Sequence, residues 1–488
     1  SLGVTIMVPN SLGPGELLAH YGTSYQKDKY LPGLANGEYI PCFGLTGPNN
    51  GSDAAGQIDE GVVKMVNNKR KICVSINKRY ITLAPVSNLV GLAFRLKDPD
   101  NLLEKGQEGI TVALIEGDHE GLIKSTHHNP LNAGFPNGTL KGDLEIDLDQ
   151  IIGGEENSGN GWKMLMECLA AGRAICLPAT ALASSKVASY GILNYAKHRK
   201  QFNIPLVKME GVNEKLLEMF YQTWVIQSSI KLTNTLLDNG EKPAVISALM
   251  KQQTTERGRI VLNMGMDIHG GSAICYGENN FLEKFYQSAP IGITVEGSNT
   301  LTRSLIIFGQ GLNKSHPYIY PILESIMNND LKQFRTGFRK MFTHSIKMYY
   351  RSFDPLFGEL EKQTVDFSCL SNFVALKGGK IKMEQYLSGE MADIFSNLYL
   401  AHSIKWYQQE YDVSSKFSDY CINRLLNENK LKINNVINNI GWQKYLLLHL
   451  KRKHKPDNYV ERREVLKEIL ENKKIVEHIK EDIYTKNT

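Results

Sequence analysis

The strongest constraint on this 488-residue chain is a change in apolar period near Gly161. Between residues 39 and 153 the apolar residues come in short runs, KICVSI, YITLAPV, VGLAFRL and GITVALIEG, separated by turn signals such as Lys97-Asp98-Pro99-Asp100 and Asn137-Gly138. Such runs predict strands, and their spacing predicts an antiparallel β domain or small barrel. Asn137-Gly138-Thr139 is also a glycosylation sequon, but Asn137-Gly138 reads as a hairpin turn. After Gly161 the spacing becomes helical. One helical stretch runs from Trp162 through KHRKQF. A second, GVNEKLLEMFYQTWVIQSSIKLTNTLLDNG, closes at the C-cap Gly240. A third starts after Pro243, a good first-turn residue, and runs to Ile268 before Gly270-Gly271. The fourth follows Glu296 in TVEGSNTLTRSLIIFGQG, with Ser298 or Asn299 as its cap and Leu301, Leu305 and Phe308 as its buried stripe. Long helices with short connections predict a four-helix bundle over 154–313.

Two further regions flank this core. Residues 13–35 carry Leu17, Leu18, Tyr21 and Tyr25 at helical spacings and stop at Pro32-Gly33, so 1–38 reads as the end of a helical domain. Residues 314–488 predict a helical extension. Its charged tail after Leu450 reads as a solvated helix face, with a membrane-surface role as the alternative. The first residue is Ser, followed at once by apolar sequence, so the chain reads as beginning inside a domain.

Charge and cysteine usage narrow the class. Charged residues make up 22% and the formal net charge is +5, which does not suggest nucleic acid. Seven cysteines, an odd number without a CxxC pair, argue against a disulfide framework or zinc site and for a reducing compartment. His127-His128 lacks a spaced carboxylate or Cys partner, so no metal site is expected. His269 reads as packed within a glycine loop, and Trp162, Met164 and Met166 as bundle core.

Three stretches carry residues suited to chemistry. Glu296 is a lone acid between Val295 and Gly297, directly ahead of a helix. Its ordinary explanation is a carboxylate stabilised by the helix N-terminus. As a general base it would be pulled in two directions, upward by desolvation and downward by the helix end. The loop Cys42–Asp53, CFGLTGPNNGSD, is rich in Gly and Asn and lacks the lysine and spacing of a phosphate-binding P-loop. Tyr80 and Thr82, two apart on a strand, share a face that would suit a planar ring, although a half-buried strand face is the commoner reason for such a pair.

In this order, SLGPGELLAHYGT, IPCFGLTGP, KRYITLAPV, NPL, DIHGG and VEGSNTLTRS-IIFGQG resemble the acyl-CoA dehydrogenase family. The likeness is strongest to its large bacterial fatty-acyl-CoA members with a C-terminal extension. It implies an α+β multidomain fold: the remnant of an N-terminal helical domain (1–38), a middle antiparallel β domain (39–153), a four-helix bundle (154–313) and a helical extension (314–488). The resemblance also implies FAD. Phe43, Leu45, Thr46, Tyr80 and Thr82 would lie at the flavin, and Ser298 and Thr300 at the adenine half. Arg199, Gln201 and the loop Asp267 to Gly271, with Gly270, would reach the FAD of a neighbouring subunit. Ser52, Arg173 and Gly297 would meet substrate. Gly47, Tyr80, Asp267 and Ala273 depart from the common family residues. The base precedes Gly297 as in most of the family. The minority position, before the Arg matched by Arg173, is here Gly172, so Glu296 is the matched candidate.

The resemblance implies α,β-dehydrogenation of fatty acyl-CoA to trans-2-enoyl-CoA, the first step of β-oxidation. Glu296 would remove the α-proton, and the Glu296 N–H with a flavin ribityl hydroxyl would hold the enolate oxygen. It further implies electron-transfer flavoprotein as acceptor, at least a homodimer, and a cytoplasmic location with peripheral association to the inner membrane through sequence outside this chain. An acyl-CoA oxidase and a non-catalytic scaffold are the competing expectations.

Overall fold

A computed structural model describes residues 13–484 except 105, 135, 242, 243 and 414. The chain divides into two compact units, one holding residues up to Thr180 with Pro290–Gly297, the other Ala181–Ala289 with the remainder from Ser298.

The first unit opens with α1 (Pro14–Tyr21) and α2 (Ser24–Asn36). Thr23 and Gln26 form a reciprocal capping box at the start of α2. Gln26 is buried, and its side chain also bonds the carbonyls of Asp149 and Ile151 and the N–H of Gly153. The expected stop at Pro32-Gly33 is not observed. The helix continues to Asn36 and ends at Gly37 in the left-handed region, φ 82°. Packing outweighs the hydrogen bond lost at Pro32, because Tyr30 and Gly33 lie against Tyr39.

Seven strands follow: β1 (Pro41–Gly44), β2 (Glu60–Val66), β3 (Lys69–Thr82), β4 (Leu89–Lys97), β5 (Gly109–Glu116), β6 (Ile123–His128) and β7 (Asn137–Asp147). They form one sheet, and it is mixed where antiparallel pairing was expected. β1 and β2 both run parallel to β4, β1 along Leu89–Leu92 and β2 along Arg95–Lys97, while β5 pairs the other edge of β4. β1 and β2 are thus two pieces of one interrupted strand, and residues 45–59 loop out between them. This pairing is long-range and leaves no local trace in the sequence. Among the described residues the sheet path runs from β5 to β6 without closing into a barrel. LVGLAFRL of β4 is apolar almost throughout because both its faces are covered. Val90, Leu92 and Phe94 join one apolar layer, and Leu89 and Ala93 join the other with Leu17, Leu18, Met164 and Leu165.

Asn137-Gly138 is not a hairpin turn. Both residues lie in β7, paired with Thr82 and Ile81 on one side and with His128 and His127 on the other. Pro85 approaches so closely that a Cβ on Gly138 would meet its ring at 3.0 Å, so this glycine serves packing.

The second unit is helical. α3 (Gly161–His198) enters it from the first unit. By length and composition α3 is apolar enough to cross a membrane. Ala188, Ile192, Leu193 and Ala196 nevertheless lie in the protein core. None of the three residues expected in the bundle core near its start joins it: Met164 is buried, but in the layer against β4, while Trp162 and Met166 are exposed. A two-strand hairpin follows, β8 (Lys200–Gln201) and β9 (Ile204–Pro205). Then come α4 (Glu210–Asp238), α5 (Ala244–His269), α6 (Gly271–Ile274) and α7 (Glu283–Thr294). Gly240 follows α4 at φ 83°, as its expected role requires. Pro243 lies outside the described residues, and α5 begins directly after it, as expected.

The fourth bundle helix is α8 (Asn299–Leu301), continuing as a π-helix over Thr302–Gln310 and as α9 (Gly311–Ser315). The wider π turn moves the buried stripe. Phe308 is buried as expected, but Leu301 and Leu305 are only half-buried, and Thr302, Ser304 and Ile307 face inward instead.

The extension comprises α10 (Ile319–Met327), α11 (Leu331–Arg351), α12 (Glu359–Ala375), α13 (Gln385–Glu410), α14 (Lys416–Asn439), α15 (Tyr459–Glu471) and α16 (Lys473–Lys480). Its residues share one continuous core with α4 and α5, in which Trp224 meets Tyr407 and Phe417 ring to ring. Arg303 makes a two-pronged bond to Asp393, at 2.8 and 2.7 Å. In the tail Val465, Leu466, Ile469, Ile475 and Ile479 are buried, so its apolar stripe is already covered by protein.

Candidate active site

β3 alternates cleanly at first, with Ile72, Val74, Ile76 and Lys78 turned inward. A bulge between Lys78 and Ile81 then resets the alternation. Tyr80 sits in the bulge at φ 61°, and the residue is 61% exposed. That ring packs on His128 at 5.0 Å and under the Arg79 guanidinium at 5.1 Å. Thr82, half-buried, shares the outward side with Tyr80, while Ile81 between them is buried. His128 Nε2 lies 3.1 Å from Thr139 Oγ1.

The inward-facing Lys78 is fully buried, and it organises the loop between β1 and β2. Its Nζ lies 3.0 Å from Asp59 Oδ2 and donates to the Leu45 carbonyl at 3.3 Å. Burial pulls the lysine pKa below its ordinary range, and the Asp59 carboxylate opposes that pull. Asn50, also buried, donates from Nδ2 to the carbonyls of Leu45 and Ala54, each at 3.1 Å. Thr46 and Arg79 bond reciprocally. The Thr46 hydroxyl donates to the Arg79 carbonyl at 3.2 Å, and the Arg79 N–H donates to the Thr46 carbonyl at 3.1 Å. A Cβ on Gly47 would meet the Asn77 carbonyl at 2.8 Å, so the glycine found there is sterically required. Phe43 is buried against Gly91, whereas Ser52 is exposed near the loop tip. The loop thus brings Leu45 and Thr46 alongside the strand that carries Tyr80.

Glu296 occupies the turn after α7. Its backbone is left-handed at φ 58°, a conformation uncommon for a residue with a side chain. Gly297 follows at φ 94°. The turn is braced by Val295 N–H to Ile291 O at 3.1 Å and by apolar packing of Ile291 and Val295 with Ala133, just after Asn-Pro-Leu. Glu296 Oε2 is buried. Arg173 is its electrostatic counterpart. Burial lowers the guanidinium pKa and the Glu296 charge raises it, and Arg173 Nε is buried without a hydrogen-bond partner among the described residues. A half-buried carboxylate beside a half-buried guanidinium, in a strained turn, is an arrangement suited to proton transfer and to binding a polar group.

The second unit holds the remaining predicted residues. Arg199 and Gln201 are exposed on the β8–β9 hairpin. Its two-residue turn has Phe202 at φ 51° and Asn203 at φ 61°, and Phe202 is 91% exposed. Asp267 is exposed and ion-paired with Lys215 at 2.6 Å. Gly270 is left-handed at φ 65°, and a Cβ on Gly270 or Gly271 would meet nothing within 4 Å. His269 is buried between the rings of Tyr195 and Phe281, which pushes its pKa down. Ser298 is the residue ahead of α8 but makes no side-chain cap, and Thr300 is exposed.

Asn299 was expected only as an alternative cap. It is instead a buried hub, accepting from Lys251 Nζ at 2.8 Å and donating to Thr255 Oγ1 and Glu256 Oε1, each at 2.9 Å. This network fixes the chain three residues beyond Glu296. It has no motif, and only a lysine and a threonine one turn apart on α5, Lys251 and Thr255, hint at it. Lys78 was more legible, because it falls on the inward parity of a strand.

Two sequence families match the chain. One, described as "Acyl-CoA dehydrogenase, C-terminal domain", covers residues 159–309; the other, "Acyl-CoA dehydrogenase, C-terminal, bacterial type", covers 351–488. A 3-(aryl)acrylate reductase of Clostridium sporogenes is 28% identical over 313 residues, 62% of this chain and 77% of that protein. An acyl-CoA dehydrogenase of Bacillus subtilis is 26% identical over 308 residues, 63% of this chain and 77% of that protein. In fold, the chain is similar to an acyl-CoA dehydrogenase complexed with FAD from Bacillus anthracis. The TM-score is 0.76 at 20% identity, covering 94% of this chain and 80% of that one.

Proposed function

Since the chain belongs to the acyl-CoA dehydrogenase family and is an oxidoreductase acting on acyl-CoA, we propose that it catalyses FAD-dependent α,β-dehydrogenation of fatty acyl-CoA, with Glu296 as the base. The observation that carries this reading is the Glu296 turn, where a half-buried carboxylate with left-handed backbone faces the Arg173 charge. The chain's polar inventory fits a flavin nucleotide. The sheet unit offers the Thr46 and Thr82 hydroxyls, the exposed Tyr80 ring and the backbone of Leu45. The helical unit offers the Arg199 guanidinium, Gln201 and the open Gly270-Gly271 backbone for a pyrophosphate, and Ser298 and Thr300 for the adenine half. When bound, the flavin supplies the two-electron oxidation by accepting hydride from the substrate β-carbon.

The protein's own part is proton removal and placement. Glu296 takes the α-proton, while Arg173 holds positive charge beside the carboxylate and the thioester end of the substrate. Ser52 and Gly297 line the path of the CoA thioester. Electron-transfer flavoprotein as acceptor, a homodimer that shares Arg199 and the Asp267–Gly271 loop between copies, and a cytoplasmic location belong to the same proposal. Similarity to the 3-(aryl)acrylate reductase favours one second reading, the same chemistry run toward reduction.

Glu296→Gln tests the reading. The near-isosteric change should leave fold and flavin content intact and lower turnover of octanoyl- or palmitoyl-CoA with an artificial acceptor by ~10²–10⁴-fold. Turnover within a few-fold of the parent would remove Glu296 from the mechanism. Faster reduction of an arylacrylyl thioester than oxidation of its saturated form would favour the second reading.

A further inference from the structure

Lys78 carries a charge where packing alone needs none. Its stem runs through the apolar layer of the sheet. A Cβ on Gly44 would meet Lys78 Cγ at 3.4 Å, with Leu92 and Leu140 side chains at 3.3 and 3.5 Å. Apolar volume in place of a buried ion pair is often as stable, so stability gives little reason for an ammonium here. The two members of the pair are also unequal. The Asp59 side chain is 21% exposed and water screens its charge, whereas Lys78 is fully buried and its charge is screened far less.

What the ammonium touches supplies the reason. The Leu45 carbonyl takes two donors, Lys78 Nζ and Asn50 Nδ2, and one of them is cationic. Its neighbours along the loop are held in the same way. Arg79 donates from its N–H to the Thr46 carbonyl, and from Nη2 to the Pro48 carbonyl at 3.1 Å. The carbonyls of Leu45, Thr46 and Pro48 are therefore all bonded by residues 78 and 79. A trans peptide aims its C=O and its N–H in opposite directions. The Thr46 N–H, which shares a peptide with the Leu45 carbonyl, thus points away from Lys78, and it has no partner among the described residues. A cation behind a carbonyl polarises the whole peptide and strengthens its N–H as a donor. The result is a fixed positive potential in front of the loop.

We propose that Lys78 is a positioning residue which, through the Leu45–Thr46 peptide, stabilises the reduced flavin over the oxidised one and so raises the flavin's reduction potential. The inference rests on the flavin reading above. In that reaction the β-hydrogen leaves the substrate as hydride, the α-proton passes to Glu296 and a C=C bond forms, so one negative charge is added to the ring. A polarised N–H held ready for that charge binds the reduced form better than the oxidised form. Lys78, buried beneath the loop, acts only through it.

The test is Lys78→Met in the full, flavin-loaded chain, with the midpoint potential read from flavin absorbance against a reference dye. Affinity for oxidised FAD should stay within a few-fold of the parent's. Affinity for reduced FAD should fall about tenfold, which for a two-electron couple is a potential ~30 mV lower. Lys78→Gln, which keeps a polar tip without the charge, should show the same drop. A purely structural prop would weaken both redox states alike and leave the potential where it was. That outcome, or variants that bind FAD as the parent does at the parent's potential, would overturn the proposal. A parent chain that takes up no FAD would overturn the flavin reading and this inference with it, a result distinct from flavin-loaded variants of unchanged potential.

Discussion

The residues proposed to handle cofactor and substrate sit on segments of two kinds. The loop between β1 and β2 is closed on itself. Asn50 and Lys78 bond its carbonyls from within, Asp59 neutralises Lys78, and Thr46 is tied to Arg79. The segment after Glu296 is similarly fixed through Asn299. The β8–β9 hairpin and the Gly270 turn are the opposite. Arg199, Gln201 and Phe202 point into open space, and nothing lies near the missing side chains of Gly270 and Gly271. A closed loop holds its donors and acceptors in place before any ligand arrives. An exposed Phe in a left-handed turn bears both backbone strain and apolar exposure, which makes sense when another surface covers it. The first kind of segment is closed within one chain, and the second is open to a surface that the proposal above assigns to another copy.

Breaking the closed segments should therefore damage the fold locally, while breaking the open ones should not. The largest stability effect is expected for Asn299→Ala. It removes three hydrogen bonds at once, two buried and one part-buried, two of them to charged partners, and should cost ~3 kcal/mol. Thermal unfolding would show it, and turnover should fall as well because the Glu296 turn loses its downstream anchor. A midpoint equal to the parent's would mean the network is dispensable. Asn50→Ala should cost ~2 kcal/mol, since the part-buried Ala54 carbonyl loses the donor that the buried Asn50 side chain supplies. Its signature is faster hydrogen exchange over residues 45–56 with the helical unit unchanged.

Arg199→Ala belongs to the open kind. Melting of the flavin-free protein should shift little, within ~0.5 kcal/mol, because the side chain is exposed. FAD retention should fall about tenfold and become more sensitive to dilution, as loss of a charge-assisted contact to a phosphate predicts. Unchanged FAD affinity, or a flavin-loaded monomer in sedimentation, would contradict the idea that this hairpin serves a second copy.

The boundary between closed and open segments also marks how far the sequence could be read. Period alone located the switch from strands to helices at Gly161, and Gly240 ended its helix where a left-handed residue was needed. The Glu296–Gly297 turn was visible as an acid in an apolar strip. What escaped were features made by residues distant in sequence. The parallel pairing of β1 and β2 on β4 depends on strands 48 and 35 positions apart, such as Pro41 with Leu89 and Glu60 with Arg95. Asn137-Gly138 has the composition of a turn, but its neighbours in space made it a strand. Lys251 and Asn299 meet across that same kind of separation, with no fixed spacing to betray them. The π turn at 302–310 shifted a stripe that an α-helical count placed on Leu301 and Leu305.

The smallest effect gives the sharpest view of a closed segment. Lys78→Met keeps the side-chain length and removes the charge. Near neutral pH the loss should be slight. The Leu45 carbonyl keeps Asn50 as donor, and Asp59 keeps the Asn77 N–H at 3.2 Å and some contact with solvent. Exchanging a buried ion pair for apolar volume is often close to neutral. The difference should emerge in alkali. Burial lowers the folded-state pKa of Lys78 below its ordinary 10.5. Between the lowered value and 10.5 the unfolded chain still holds the proton that the folded chain has released, so raising pH favours the folded state. The Met variant lacks this term. The parent should therefore gain stability relative to Lys78→Met as pH climbs toward 10.5, seen as a rise in its melting midpoint relative to the variant's. Parallel pH profiles for the two proteins would show that Lys78 titrates as an ordinary exposed lysine, and that the loop owes its closure to Asn50 and Thr46 alone.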